Sequence, residues 1–228
     1  MEPDSKSGSL TQQQAQTECR INEIFFSIQG ESTKVGLPTV FIRLTGCPLR
    51  CSYCDTAYAF HDGEKMTIDA IIQNISQYRA KHVTVTGGEP LAQKTCHELL
   101  ARLCDEGFLV SLETSGAIDV ANVDDRVIKI MDIKTPGSSE ETKNNFANLT
   151  HITPKDQIKF VISDRPDYEW SKQKINEFNL SDLCEVLLSP THEAISPTDL
   201  AEWMLEDKLN VRLQVQLHKY LWGNVPGK

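Results

Sequence analysis

The sequence lacks the long apolar runs and the excess of basic residues that mark membrane-spanning and nucleic-acid-binding chains. No stretch approaches the roughly 20 consecutive apolar residues that a spanning helix needs, and the polar, Gln-rich beginning has no hydrophobic signal core. The 32 Asp and Glu against 23 Lys and Arg give a formal net charge of −9. Nucleic acids and anionic membrane surfaces both favour a basic face. We therefore expect a cytoplasmic protein with a small-molecule substrate and neither a nucleic-acid nor a membrane partner.

Cysteine is scarce outside one short segment, and the total of seven is odd. Cys47, Cys51 and Cys54 have the spacing C-x3-C-x2-C. This distribution favours a metal site in a reducing compartment over a disulfide framework. A structural zinc site would need further cysteines at matching spacing, and none follows. Cys96 and Cys104 fit a helical pattern and are interpreted as apolar packing.

The three clustered cysteines predict a 4Fe–4S cluster, because thiolates are the standard ligands of iron–sulfur clusters. Three ligands leave one iron without a protein ligand, and an open metal position is where chemistry takes place. An electron carrier ordinarily ligates every iron. A small electron carrier or a zinc-binding module therefore stays as the non-enzyme alternative.

The order of strand-like and helix-like segments predicts an α/β fold. Residues 39–44 and 82–86 are predicted strands, separated by a predicted helix of about residues 68–78 that Thr67 caps. A further helix is predicted at about 91–105, and the last strand at 211–215. Such alternation requires a parallel sheet. We count about six core strands after the first, fewer than the eight of a complete barrel. We expect a disordered tail at 1–19 and one domain at 20–228, a partial TIM-like β/α barrel of about six parallel core strands. Polar or glycine-rich segments follow the strands, at the ligand-binding face of such folds.

A glycine-rich turn, Gly87-Gly88-Glu89-Pro90, follows one of these strands. Missing side chains let its N–H and C=O groups approach a ligand, although a tight strand-to-helix turn is the alternative. With the cysteine segment and Tyr53 before its last cysteine, this turn resembles the radical SAM superfamily. The resemblance implies a 4Fe–4S cluster that binds S-adenosylmethionine (SAM) at its open iron. Reductive cleavage then gives methionine and a 5′-deoxyadenosyl radical, which abstracts hydrogen from the substrate.

Further segments resemble one family of that superfamily, the 7-carboxy-7-deazaguanine synthases of queuosine biosynthesis. They are residues 26–31, 41–44, 54–56, 113–116 and 216–219. The resemblance implies conversion of 6-carboxy-5,6,7,8-tetrahydropterin to 7-carboxy-7-deazaguanine by radical ring contraction with loss of ammonia. It also implies Mg²⁺, a homodimer and a flavodoxin-type electron donor. The alternative is a radical SAM activase that makes a glycyl radical on a partner enzyme, which does not explain the segment 27–31 or Thr56.

The resemblance also implies site residues by position. The cluster ligands are Cys47, Cys51 and Cys54. The residues implied to contact SAM are Tyr53, Cys54, Asp55, Gly88, Asp132 and Lys134. The residues implied to contact the pterin are Ile28, Gln29, Gly30, Arg43 and Thr86. Thr56 is the implied Mg²⁺ ligand, since this cation prefers oxygen, although such a threonine is ordinarily a helix or turn cap. Arg43 suits a substrate carboxylate, or else a buried structural ion pair.

Two parts of the match differ from the family pattern. Many members have Ser-Pro-Lys where this chain has Asp132 and Lys134 at the first and third positions. The chain also continues past His218-Lys219, where some members stop sooner. His218, Lys219 and Glu113 are the catalytic candidates. The first two would be proton donors, or else they would pair with Glu113.

Overall fold

The computed structural model describes residues 17–225 and 227–228. The strands are β1 (Glu18–Ile28), β2 (Pro38–Leu44), β3 (Glu64–Thr67), β4 (His82–Gly87), β5 (Leu109–Thr114), β6 (Ile128–Ile133), β7 (Gln157–Ile162), β8 (Glu185–Pro190) and β9 (Arg212–Leu213). The helices are α1 (Ile68–Ser76), α2 (Cys96–Asp105), α3 (Arg165–Glu177), α4 (Leu180–Leu183), α5 (Pro197–Glu206) and α6 (Leu217–Trp222). Within the described residues, no helix is long and apolar enough to cross a membrane.

All nine strands form one sheet, in the order β3-β1-β2-β4-β5-β6-β7-β8-β9. From β2 to β9 every neighbouring pair in this order is parallel, whereas β1 runs antiparallel to both β2 and β3. The parallel strands number seven, one more than the predicted six, and β9 contributes only two residues. The sheet does not close on itself, so the predicted partial β/α barrel is confirmed.

The predicted end of the N-terminal tail is wrong by at least two residues. Glu18 and Cys19, which fall in the predicted tail 1–19, pair with Thr67 and Met66 of β3. A strand with one exposed face alternates polar and apolar residues, so composition alone does not separate its start from a polar segment. Residues 1–16 of the predicted tail lie outside the described residues.

The start of helix α1 is visible in the sequence, whereas the starts of α2 and α6 are not. Thr67 caps α1 as expected, since its Oγ1 accepts a hydrogen bond from Ala70 N at 3.1 Å. The predicted helix from residue 91 instead begins at Cys96, because Pro90–Ala92 forms a short 3-10 turn. Helix α6 was not predicted. It occupies the segment that follows the predicted last strand.

Side chains alternate along the parallel strands between an apolar outer face and a polar inner face. Val83 and Val85 of β4 pack against the helices, while Thr86 of the same strand lines the cavity. Ile158 and Phe160 of β7 likewise pack outward. The apolar core therefore lies between the sheet and the helices, and the interior of the barrel is left for polar groups.

Candidate active site

A cavity of about 580 Å³ fills the interior of the barrel. Residues 29–37, here called the floor loop, join β1 to β2 at the amino-terminal end of the parallel strands. Residues 45–56, here called the cysteine loop, follow β2 at the opposite end. Both loops line the cavity. The predicted site residues that line it are Ile28, Gln29, Gly30, Arg43, Cys47, Cys51, Tyr53, Cys54, Asp55, Thr56, Thr86, Gly88, Glu113, Asp132, Lys134, His218 and Lys219.

The three clustered cysteines are free thiols on the cavity wall. Burial raises the pKa of Cys47 and that of Cys51, and the nearby Lys134 ammonium acts in the opposite direction on both. In the described part of the chain, no three His, Cys, Asp or Glu side chains converge closely enough to hold a single metal ion.

The segment after β6 holds the cysteine loop from outside the barrel. Ser52 N donates to Ser138 O at 3.0 Å, and Ser52 Oγ donates to Gly137 O at 2.6 Å. Arg50 N donates to Glu140 Oε1 at 2.5 Å. Hydrogen bonds that each involve a backbone group therefore fix the cysteine loop to a second loop, about 85 residues further along the chain.

The glycine-rich turn packs against the cysteine loop. A Cβ on Gly88 would lie 2.4 Å from Gly46 O and 2.6 Å from Cys47 Cβ. Gly88 N donates to Leu44 O at 3.3 Å, and Glu89 N donates to Gly46 O at 2.8 Å. The chain itself uses these two N–H groups, and the expected ligand contact of the turn through its C=O groups stays a prediction. Gly88 is needed for close approach of backbone to backbone.

Glu89 of the same turn is a buried anchor that the sequence reasoning missed. Its carboxylate accepts hydrogen bonds from Thr114 Oγ1 at 2.9 Å, Ser115 N at 2.7 Å and Leu91 N at 3.0 Å. These contacts join the end of β4 to the end of β5. The available sequence signals were a glutamate after two glycines and a Thr-Ser pair at the end of the next strand. These residues meet only because the two strands are neighbours in the sheet, which the sequence does not show.

Polar side chains fix the floor loop inside the barrel. Gln29 Nε2 donates to Thr84 Oγ1 at 3.2 Å, and Gln29 Oε1 accepts from Glu31 N at 3.1 Å. Thr33 exchanges two hydrogen bonds with Gln157, one to its carbonyl oxygen at 2.9 Å and one from its amide nitrogen at 2.8 Å. The loop thus reaches from β4 to β7 and closes the lower end of the cavity.

A row of buried charges crosses the cavity above the floor loop. The Lys159 ammonium donates to Glu31 Oε2, and Gln216 Nε2 donates to Glu31 Oε1 at 2.9 Å. Asp132 Oδ2 lies 3.1 Å from Lys134 Nζ and 3.9 Å from Lys159 Nζ. Burial raises the pKa of Glu31, but the Lys159 ammonium outweighs it, so the pKa is lowered to about 2. Sequence reasoning missed Lys159, although a lysine between apolar strand residues was a signal like that of Arg43.

Glu113 and Arg43 lie on the wall of the same cavity. Thr86 Oγ1 donates to Glu113 Oε2 at 2.9 Å. Burial raises the pKa of Glu113, and the negative charge of Glu31 raises it further. Arg43 Nε is 2.7 Å from Glu23 Oε1. The ion pair and the cavity position of Arg43 therefore coexist, so the two interpretations of this residue do not exclude each other.

Helix α6 brings the C-terminal pair to the cavity by contacts other than the expected ones. Lys219 Nζ lies 3.4 Å from Asp55 Oδ2, in the cysteine loop. His218 packs on the floor loop, since a Cβ on Gly30 would lie 2.1 Å from His218 Nδ1. Burial lowers the pKa of His218. Lys219 therefore pairs with Asp55 of the cysteine loop and not with Glu113, whereas the alternative pairing of His218 with Glu113 stays a prediction.

Thr56 and Asp132 present oxygens that the described residues do not fully use. Thr56 precedes a short 3-10 turn but makes no side-chain capping bond, and its Oγ1 is 3.8 Å from Cys54 Sγ. Asp132 Oδ1 is buried without a hydrogen-bond partner among the described residues. A buried oxygen of this kind on a cavity wall is expected where another molecule supplies the donor.

Comparison with known proteins identifies the family of this chain. The sequence profile of the Radical SAM superfamily matches residues 41–177. A 7-carboxy-7-deazaguanine synthase of Chlorobaculum tepidum is 45% identical, over 89% of this chain and 94% of that protein. One of Koribacter versatilis is 42% identical, over 89% of this chain and 96% of that protein.

The chain belongs to the 7-carboxy-7-deazaguanine synthase family of the radical SAM superfamily. The fold agrees with the crystal structure of QueE from Escherichia coli, which has a TM-score of 0.73 and 24% sequence identity. That match covers 88% of this chain and 95% of the QueE chain. The family membership excludes the electron-carrier and zinc-module alternatives.

Membership of the radical SAM superfamily implies a 4Fe–4S cluster and SAM. The cavity of this family member fits both groups. Its wall carries three thiols on one loop, the ligand type of such clusters. The unpartnered Asp132 Oδ1 lies on the same wall, where a polar group of a bound cofactor can donate to it. The family also agrees with a small-molecule substrate, which the enclosed cavity accommodates.

Proposed function

We propose that this chain converts 6-carboxy-5,6,7,8-tetrahydropterin to 7-carboxy-7-deazaguanine by radical ring contraction with loss of ammonia. The main support is the match to relatives named 7-carboxy-7-deazaguanine synthase, which extends over 94% and 96% of their lengths. The polar cavity between the cysteine loop and the floor loop supports the same conclusion, since a small polar substrate fits between the two loops. A glycyl-radical activase, the earlier alternative, is not favoured by these relatives.

Residues of the cysteine loop and the neighbouring strand ends would hold the cofactors. When bound, the cluster and SAM supply a carbon radical that abstracts hydrogen from the substrate. Cys47, Cys51 and Cys54 would ligate three irons. Asp132 would accept a hydrogen bond through its free Oδ1, while its Oδ2 lies 3.1 Å from Lys134 Nζ. The other residues proposed to contact SAM are Tyr53, Asp55 and Gly88.

Substrate contacts would come from the floor loop and from β2 and β4. Gln29 and Gly30 are held inside the barrel by hydrogen bonds and packing, and both residues line the cavity. Arg43 uses Nε for Glu23, and its terminal N–H groups, which donate to no other described residue, would pair with the substrate carboxylate. Ile28 and Thr86 complete the proposed substrate contacts.

Thr56 would be the Mg²⁺ ligand. Its hydroxyl makes no capping bond and lies on the cavity wall next to Cys54. Mg²⁺ keeps several waters or substrate oxygens in its octahedral shell, so one hydroxyl and a substrate carboxylate make a suitable ligand set. The homodimer, the flavodoxin-type electron donor and the cytoplasmic location are further proposals, supported by the family resemblance.

Anaerobic turnover tests the proposed function. Protein with a reconstituted cluster would be mixed with SAM, a chemical reductant and 6-carboxy-5,6,7,8-tetrahydropterin, with and without Mg²⁺. Mass spectrometry should detect 7-carboxy-7-deazaguanine and ammonia, with more product when Mg²⁺ is present. A Cys51→Ala variant, which removes one proposed cluster ligand, should form no product. SAM cleavage without deazaguanine product in the wild-type reaction would overturn the proposal.

A further inference from the structure

Lys159 is a buried cation to which the roles proposed above give no task. It lies in the middle of β7, where Ile158 and Phe160 pack outward and its own side chain enters the cavity. Only 14% of this side chain is exposed to solvent. Lysine is almost never buried to this degree unless it is paired. Its partners therefore indicate what it does.

Glu31 of the floor loop is the principal partner of Lys159. The ammonium donates to one carboxylate oxygen of Glu31, and Gln216 Nε2 donates to the other at 2.9 Å. Asp132 Oδ2 lies 3.9 Å from Lys159 Nζ on the neighbouring strand. These contacts fix the position of the Glu31 carboxylate on the cavity wall. An ionised carboxylate has about four acceptor positions, so Glu31 keeps capacity for donors inside the cavity.

Glu113 is the contrasting carboxylate of the same cavity. Burial and the negative charge of Glu31 raise the pKa of Glu113, and Thr86 Oγ1 donates to it at 2.9 Å. Lys159 acts in the opposite direction on Glu31, whose pKa is lowered to about 2 although it is buried. One ammonium, which contacts Glu31 and not Glu113, therefore separates the pKa values of these two acids.

We propose that Lys159 is a positioning residue for the substrate. It holds Glu31 in place as an ionised acceptor, and Glu31 accepts hydrogen bonds from two adjacent N–H donors on the substrate ring. The inference rests on the proposed function, because the aminopyrimidinone ring of a pterin carries such a pair of donors on one edge. Hydrogen bonds from paired donors to an ionised carboxylate are among the strong ones.

Removal of the ammonium should therefore change the protonation of Glu31. In a Lys159→Met variant, Glu31 stays buried near Glu113 and Asp132 without its cation. Burial and like charges both raise the pKa of a carboxyl group. Glu31 then carries a proton near neutral pH and loses part of its acceptor capacity. Substrate binding should weaken and should recover as the pH rises.

Steady-state kinetics of the reconstituted enzyme from about pH 7 to about pH 9 test this inference. Burial lowers the pKa of His218, so His218 stays neutral over this range. Lys159→Met should raise KM for the carboxypterin about 10- to 100-fold at the lower pH, as for a lost hydrogen bond to a charged group. The change in kcat should be smaller, and KM should fall as pH rises. The wild type and Lys159→Arg should keep a KM that does not depend on pH.

Lys129→Met is the matched control. Lys129 lies on β6 with 4% of its side chain exposed, and its Nζ is 3.1 Å from Asp156 Oδ2. Neither member of this pair lines the cavity. Each substitution removes one buried, paired ammonium from a strand, so both variants should have a lower Tm. Only the change at Lys159 should alter KM and its pH dependence.

A second variant covers the case in which Lys159→Met does not fold. The double variant Glu31→Gln/Lys159→Met buries no unpaired carboxylate at this position, and it should bind the substrate weakly at every pH in the range. The role of Lys159 is overturned if Lys159→Met or the double variant has the same KM as the wild type at every pH in the range. Wild-type turnover is measured before any variant is compared. Absence of deazaguanine product from the wild-type enzyme overturns the proposed function and not the role of Lys159.

Discussion

At the scale of single residues, the site depends on glycines and acids whose partners lie far away in sequence. Gly88 allows two backbone segments to meet, and Gly30 makes room for His218. Glu89 and Glu31 are buried carboxylates that are satisfied in different ways, the first by neutral donors and the second by an ammonium. Replacing any of them changes a neighbour's position as well as its own chemistry.

Gly88→Ala should impair cluster binding. The added Cβ would lie 2.6 Å from Cys47 Cβ and 2.4 Å from Gly46 O, so the cysteine loop must move away from β4. The reconstituted variant should hold clearly less iron and sulfide per chain than the wild type, measured by chemical analysis and by the visible absorbance of the cluster.

Gly107→Ala separates this clash from general backbone strain. Gly107 has a φ of +85° and open space around its Cα, so alanine there costs about 1 kcal/mol of stability through strain alone. This control should unfold at a lower temperature yet load iron normally. Equal iron contents in Gly88→Ala and the wild type would contradict the prediction.

At the scale of elements, the loops that follow the strands carry the site residues, and other segments of the chain hold these loops in place. The segment after β6 contacts the cysteine loop through Ser52, and Asp167 of α3 in turn holds that segment. Gly137 N donates to Asp167 Oδ1 at 2.8 Å, and Ser163 N donates to Asp167 Oδ2 at 3.1 Å. A buried side chain on a helix is thus linked through two loops to the thiols.

Asp167→Asn should make the cluster more labile without touching its ligands. The amide turns one acceptor into a donor that faces a backbone N–H, which costs about 1–3 kcal/mol for a buried group. The segment 136–138 should loosen, and Ser52 should lose part of its support. We expect faster release of iron to a chelator under anaerobic conditions.

The control is the same Asp-to-Asn substitution at Asp199, an exposed residue of α5. Asp199→Asn should release iron at the wild-type rate. A wild-type rate in Asp167→Asn as well would show that the segment 136–138 does not control the stability of the cluster.

At the scale of the whole molecule, polar contacts join distant parts of the chain across the cavity. The Glu31–Lys159 contact joins residues 128 positions apart, and the Glu31–Gln216 hydrogen bond joins residues 185 positions apart. They connect the β1–β2 hairpin, the far side of the sheet and the C-terminal segment around one cavity. Charge pairing in the interior should therefore couple to global stability.

The free energy of unfolding of the iron-free protein should fall in acid. The pKa values of Glu31 and Asp156 are lower in the folded chain than their ordinary values of 4.5 and 3.8. Each carboxylate therefore contributes stability that is fully present above its ordinary pKa and is lost as the pH falls toward the folded value. For Glu31 this window runs from 4.5 down to about 2. Urea unfolding at a series of pH values measures the slope.

Glu31→Gln should flatten that slope, because the substituted side chain does not titrate. Glu202→Gln, at an exposed position of α5, should leave the slope unchanged. An acid slope in Glu31→Gln as steep as that of the wild type would mean that the Glu31–Lys159 pair does not contribute to acid stability.

The sequence was sufficient to predict the features that depend on local pattern. Alternating apolar segments predicted the parallel sheet and the open barrel, and Thr67 predicted the start of α1. The starts of β1 and α2 were placed wrongly, because a polar strand start and a 3-10 turn have no distinct pattern. The predicted site residues all line one cavity, which extends from the carboxyl ends of the strands to the floor loop at the opposite end.

The sequence by itself determined the kind of chemistry, because three thiols on one short loop need only local spacing to be recognised. The tertiary structure alone decided which charges share the interior. Lys159 shows no motif and meets Glu31 only when β7 and the floor loop face the same cavity. It also decided that Lys219 pairs with Asp55 and not with Glu113. Such pairings depend on distances across the barrel, which local sequence does not encode.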